Sequence, residues 1–170
     1  LDNSPLAPSI GTVAPMRSST MVIQYANAKE ITRVSGVTPE IAEIVNYPMD
    51  KGTFISEEDN RKRTNVAVLG HITASYLFGD TNPVGQSIRI VGRKFDVIGV
   101  IEEKGSFMGT ADDYVIIPLL TFEARFIHHT HPYGRPVQTI VVQAVDTDQI
   151  DAAKEQVTSI LRQRHHIRQG

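Results

Sequence analysis

The chain has 170 residues, 41% of them hydrophobic, which is enough for one ordinary core or two small subdomains, since domains run to about 100 to 200 residues. Its 17 basic and 19 acidic side chains leave a formal charge of -2, so no overall field gathers nucleic acid or anionic lipid. With no cysteine, a disulfide framework, a thiolate zinc site and a cysteine nucleophile are all excluded. No apolar run approaches the roughly 18 to 20 residues that span a bilayer, and LDNSPLAPS has neither the basic region nor the apolar core of a signal peptide. The chain reads as soluble as it stands, and a first residue of Leu points to a processed protein or an excised fragment.

The stretch from Thr12 to Gly36 is rich in β-branched and aromatic residues, with Ala26-Asn27-Ala28-Lys29 as a turn, and predicts two strands. Thr38-Pro39-Glu40 predicts a short helix through Val45, with Thr38 as N-cap, Pro39 in the first turn and Glu40 at the positive end. Ser56 predicts a second N-cap, and Asp59 stands where a capping box has its acidic partner. Asn65 to Gly70 is an apolar run of buried-strand length feeding a helix over His71 to Phe78. A glycine at such a junction invites a phosphate loop, but neither G-x-x-x-x-G-K-[ST] nor G-x-G-x-x-G occurs.

Asn82-Pro83-Val84-Gly85 has the residue preferences of a type I turn. Gln86 to Val91 and Lys94 to Ile101 then flank Gly92-Arg93, which predicts a type II′ hairpin with Gly92 at the first central position. The second arm is apolar on both faces, Phe95, Val97, Gly99 and Ile101 sharing one and Asp96, Ile98 and Val100 the other. That marks a central strand, with Gly99 at a bulge or a close backbone approach. Further on, Asp112 to Pro118 predicts a strand, Leu119 to Ile127 a helix and Gln138 to Val145 a strand. The helix from Asp146 to His166 is the clearest, with Ile150, Ala153, Val157, Ile160 and Leu161 on one face. Interleaved strands and helices with hairpins among them predict an α+β or split βαβ architecture.

His128, His129 and His131 are the best metal candidates, weighed against an exposed polar loop, which is the favoured reading because no acidic residue lies close by in sequence. His165 and His166 sit at a helix end. Ser18, Ser19 and Ser106 need a base supplied by the fold, and no nucleophile elbow or H-E-x-x-H helix occurs. The carboxylate pairs Glu57 and Glu58, Glu102 and Glu103, and Asp112 and Asp113 are adjacent, so within a strand their side chains diverge. No enzyme is expected. Phe107 and Met108, in a glycine-bounded loop, are candidate partner contacts, with a loop folded on its own core as the favoured alternative.

Three runs carry a resemblance: Ser35 to Gly105, Asp112 to Phe126 and Gln138 to Ile167. The motifs are V-x-P at Val37 to Pro39, G-x-F at Gly52 to Phe54, and A-V-L-G with L-F-G-D-x-x-P-V-G-Q from Ala67 to Gln86. Over about residues 12 to 168 the chain resembles the MacB-like periplasmic core domain, the extracytoplasmic domain of MacB/FtsX-type ABC transporter permeases.

The resemblance implies a porter-like split βαβ subdomain from residues 1–50 and 137–170, carrying an inserted smaller mixed α/β subdomain over 51–136 with the hairpin 86–101. It implies a domain lying between two membrane helices of an inner-membrane permease, exposed to the periplasm and relaying conformational change driven by ATP. The expected partners are a periplasmic adaptor (membrane fusion protein), an ABC ATPase domain and an outer-membrane exit duct, with no nucleic acid. It implies no cofactor in this chain, ATP belonging to the ATPase domain, and a permease that dimerises in the membrane while the isolated domain stays monomeric. Residues Asn82, Pro83, Gly85 and Gly92 are then structural turns. Against the family pattern the first strand and helix are shortened to LDNSPLAPSI, and the chain stops after Arg168. The alternative that the residues leave open is a periplasmic binding or metal-sensing module using the loop from His128 to His131.

Overall fold

A computed structural model describes residues 7–103, 113–127 and 138–165. The β-branched opening forms β1 (Ile10–Tyr25) and β2 (Ala28–Val37), an antiparallel pair joined over ten positions from Met16↔Val37 to Tyr25↔Ala28. After α1 (Ile41–Val45), the chain crosses as β3 (Met49–Gly52) and enters α2 (Glu57–Lys62). Next come β4 (Val66–Leu69), α3 (His71–Phe78), and the hairpin of β5 (Ser87–Ile90) with β6 (Arg93–Ile101). The chain continues through β7 (Tyr114–Pro118), α4 (Leu119–Phe126), β8 (Thr139–Ala144) and α5 (Ile150–His165). This is the α+β architecture expected from the interleaving of periods.

The strands form one sheet in the order β2-β7-β4-β6-β5-β1-β8, and β2 also pairs with β1, so six of them close into a ring. Strands from both expected segments share it, since β2 runs parallel to β7 over five positions. Closure depends on a short seam, where β1 meets β5 only at Ile23↔Ile90 and Gln24↔Arg89.

Every strand of the ring contributes to one inner cluster, which includes Ile23, Val34, Leu69, Ile90, Phe95 and Ile117, and helices α3 and α4 add Leu77, Phe78 and Phe122 to it. At about 25 cal/mol per Å² of apolar surface removed from water, such a core dominates the favourable side of folding. A second cluster, around Ala14, Val37, Ile41, Val68, Ile101 and Ile116, lies on the outer face under α1 and the segment that follows it. A third joins Ala153, Val157 and Ile160 of α5 to Ile10, Val13 and Val142.

The capping box reads as expected: the Asp59 amide donates to Ser56 Oγ at 3.1 Å and the Ser56 amide to Asp59 Oδ2 at 3.0 Å. Thr38, in contrast, does not cap α1. Its hydroxyl is buried without a hydrogen-bond partner, while its carbonyl accepts from the Ile41 amide at 3.2 Å. The first turn here is held by backbone carbonyls rather than by a side chain.

The faces of β6 differ from a plain alternation. Ala67 pairs with Val97 but Val68 with Gly99, so a bulge at Ile98 shifts the register. Val100 therefore joins Phe95 and Val97 in the inner cluster, while Ile98 and Ile101 face the outer one. The expected close approach is also present: a Cβ on Gly99 would stand 2.4 Å from the Thr53 carbonyl oxygen. Its cross-strand partner is Gly52, so two glycines let β3 pass against β6. On α5 the apolar face is narrower than its spacing predicts, because Ile150 and Leu161 are 43% and 44% exposed.

Candidate functional site

Both turns in the Asn82 to Gly92 region sit one residue away from their sequence reading. The Gln86 amide donates to the Pro83 carbonyl at 3.0 Å, so the turn spans Pro83 to Gln86, with Gly85 third at φ 87°. Positive φ there is the mark of a type II turn, which asks for glycine at that position. Asn82 acts ahead of the turn, its Oδ1 accepting from the Val84 amide at 3.2 Å. The turn is fastened to β6, since the Gly85 amide donates to the Val97 carbonyl at 2.9 Å and the Val97 amide to the Gln86 carbonyl at 2.8 Å.

The hairpin turns at Val91-Gly92 rather than Gly92-Arg93. Ile90 pairs with Arg93, and Val91 (φ 47°) and Gly92 (φ 77°) are both left-handed, as a type I′ turn requires. A valine is poorly suited to that conformation. It is held there because its amide donates to the Val22 carbonyl of β1 at 2.9 Å, extending the ring's seam. Tertiary pairing thus overrides the local preference that favours glycine first. These four residues set backbone geometry, and none of them faces a cavity.

The densest polar arrangement joins parts of the chain that are far apart in sequence. Asp113, at the start of β7, accepts from the Thr32 hydroxyl, and the Thr73 hydroxyl of α3 reaches the same Oδ1 at 3.2 Å. Both threonines are buried. Glu30 lies near: burial first, and the negative charge of Asp113 second, push its carboxyl above its ordinary value. Asp59 shows the opposite balance. Burial opposes its charge, but hydrogen bonds from Ser56 and Thr64, with Lys62 nearby, outweigh it and hold the carboxyl below its ordinary value. Asp113, tied by two hydroxyls, anchors β7 to β2 and α3. This cluster carried no sequence signal, because no spacing links Thr32, Thr73 and Asp113.

The other candidates stay apart. Ser18 and Ser19 lie in cross-strand rows with Ser35 and Val34, and neither row holds a base. Glu58 pairs with Lys62 at 2.5 Å, and Glu103 stands 3.9 Å from His71. Among the described residues no three histidine, aspartate or glutamate side chains gather as metal ligands would. His128, His129, His131, Phe107, Met108, Ser106, Asp112 and His166 lie outside the described residues, and so does the side chain of His165.

Two concavities remain. A groove of about 650 Å³ runs between β8 and α5, with Val142, Ala144, Ile150, Ala153 and Val157 on its apolar wall. A smaller one of about 80 Å³ opens on the outer face beside Tyr47, whose hydroxyl burial pushes above its ordinary value, with Arg33 at its lining. Tyr47 and Phe54 stack there with ring centroids 5.6 Å apart. These surfaces suit contact with another macromolecule better than covalent chemistry. No described helix is long and apolar enough to cross a membrane.

A family model described as the MacB-like periplasmic core domain matches residues 3–160. Among curated relatives, a pyoverdine export ATP-binding/permease protein PvdT of Pseudomonas aeruginosa is 30% identical over 160 residues, 93% of this chain and 23% of the relative. A macrolide export ATP-binding/permease protein MacB of Bdellovibrio bacteriovorus is 31% identical over 159 residues, 93% of this chain and 24% of the relative. The chain therefore spans about a quarter of the length of these curated relatives.

Of solved structures, the extracellular domain of the ABC-type transporter YknZ from Gram-positive bacteria superposes with a TM-score of 0.80 at 17% identity, over 95% of this chain and 80% of that one. The periplasmic region of MacB from Actinobacillus actinomycetemcomitans gives 0.78 at 21%, over 93% and 69%. These two share the fold. With the family model matching nearly its whole length, the chain belongs to the MacB-like periplasmic core domain family.

Proposed function

We propose that this chain is the extracytoplasmic domain of an ABC-type export permease, and that it relays motion rather than performing chemistry. In this reading the domain stands in the periplasm on an inner-membrane permease that dimerises. ATP is hydrolysed on a cytoplasmic nucleotide-binding domain, and the domain engages a periplasmic adaptor leading to an outer-membrane exit duct. The observation that carries it is the family match combined with the ring. A sheet closed over six strands and packed on α3 and α4 deforms little, so displacement at one end reaches the other. The 16-residue β1 supports this, since it pairs with β8 at its start and with β2 and β5 at its end.

The test uses the full-length permease with its ATPase domain and adaptor in lipid nanodiscs. A disulfide engineered across the β1–β2 ladder should leave adaptor-stimulated ATP hydrolysis intact, because the ladder moves as one body. Replacing the whole domain with a flexible linker should abolish the stimulation while basal hydrolysis persists. Stimulation that survives the replacement would overturn the relay.

A further inference from the structure

The ring presents an outer surface whose charges are not balanced. Strand alternation turns Glu30, Thr32 and Val34 of β2 inward, so Lys29, Ile31 and Arg33 point outward. Ile31 lies opposite Val22 of β1, and the Val91 amide bonds to the Val22 carbonyl. Ile31, Val22 and Val91 therefore form an apolar row across β2, β1 and the tip of the hairpin. Ile31 is 68% exposed and Val91 57%, unusual for apolar side chains on a rigid sheet.

Beside this row runs a second one. Gln24 pairs with both Lys29 and Arg89, and Arg89 pairs with Lys94, so three cations share one row across four strands. Like charges directly opposite each other destabilise a ladder, so Arg89 against Lys94 is a local cost of this surface. Arg33, opposite Thr20, adds a fourth cation on the other side of the apolar row. The carboxylate among the described outward residues of these strands is Asp96, already engaged by Ser87 Oγ at 2.8 Å and Lys94 at 3.6 Å. Arg89 reaches only a neutral acceptor, the Gly92 carbonyl, at 3.0 Å. The chain as a whole carries -2, so this excess of positive charge is a local arrangement.

We propose that the outer face of β2, β1, β5 and β6 is a docking surface for a protein partner that presents carboxylates around an apolar ridge. That partner is the periplasmic adaptor, so the inference rests on the reading given above. Carboxylates entering the row of Lys29, Arg89 and Lys94 relieve its repulsion, and the ridge covers Ile31 and Val91. A lipid surface suits this face less well, because the row carries no aromatic side chain to enter the headgroup region. Charge complementarity of this kind mainly speeds association and makes it sensitive to salt.

The experiment measures binding of the purified adaptor to the full-length permease in nanodiscs of zwitterionic lipid, at low and high salt. The wild type should bind and weaken as salt rises. Lys29→Glu with Arg89→Glu should lower affinity by about tenfold or more and flatten the salt dependence. Ile31→Ser should weaken binding at every salt concentration, whereas Lys154→Glu on α5 should match the wild type. If the charge reversal fails to fold, Lys29→Gln with Arg89→Gln replaces it, and a loss of affinity there supports the same surface. Failure of the wild type to bind the adaptor overturns the adaptor reading and this surface together. Wild-type binding that every outer-face variant retains overturns the surface alone. A charge-reversal effect that appears only in phosphatidylglycerol nanodiscs assigns the face to anionic lipid and overturns the protein partner.

Discussion

The two ends of β6 solve different problems with the same residue type. At its start, the Val91-Gly92 turn needs glycine for a left-handed backbone, and a Cβ on Gly92 would meet nothing within 4 Å. Near its other end Gly99 needs no special φ, but another backbone passes so closely that a side chain has no room. The first kind of demand is local and shows in the residue pattern. The second comes from β3 arriving from elsewhere in the chain, and only the assembled sheet gives its size. A turn position should therefore tolerate change at modest cost, while the crossing should not.

The largest test of that difference is Gly99→Ala. Its new methyl would meet the Thr53 carbonyl at 2.4 Å, and because backbone cannot swing aside the expected loss is about 3 kcal/mol, measured by urea unfolding. A cost under about 1 kcal/mol would show that the crossing relaxes. Gly36→Ala meets the Phe122 side chain at 2.4 Å instead, and a ring can shift more readily than a main chain. The loss expected there is about 2 kcal/mol by the same measurement, with near-ultraviolet circular dichroism reporting the displaced ring.

An interaction read directly from sequence supplies the middle of the scale. Ser56→Ala removes the α2 cap and should cost about 1 kcal/mol near neutral pH. Because the folded-state pKa of Asp59 is lowered, its contribution is present above the unfolded carboxylate value and is lost as pH falls through the lowered one. The difference between Ser56→Ala and wild type should accordingly shrink in acid; a difference constant with pH would detach it from Asp59. The smallest effect is a gain. Val91→Asn places a residue suited to positive φ ahead of Gly92 and should stabilise by about 0.5 kcal/mol, read as a rise in Tm.

Sequence reasoning reached what depends on local chemistry. The capping box, the β4 to α3 step and the central position of β6 follow from residue type and spacing, and each is present. The register of the turns was one residue off because Val91 is committed by its bond to Val22, a partner that local preference does not see. β3 went unrecognised because Met-Asp-Lys-Gly has no alternation; it becomes a strand only because β6 offers it an edge. The faces of β6 were misassigned beyond Ile98 for a similar reason, since a bulge is written jointly by two strands. The outer cationic row was illegible for the same cause. Lys29, Arg89 and Lys94 are scattered in sequence and become neighbours only through the pairings of Gln24 and Arg89.

The shortness of the seam gives the ring an uneven tolerance to thermal opening. β1 and β2 share ten pairs, whereas β1 and β5 share two, with the Val91 amide as an added link. Parting β1 from β5 breaks few hydrogen bonds and turns a closed band into an open ribbon without disturbing the other ladders. In hydrogen exchange the Val91 amide would therefore lose its proton to solvent well before the central amides of β2, as sub-global opening dictates. The fold combines a stiff band with a clasp, and the clasp lies beside the three outward cations.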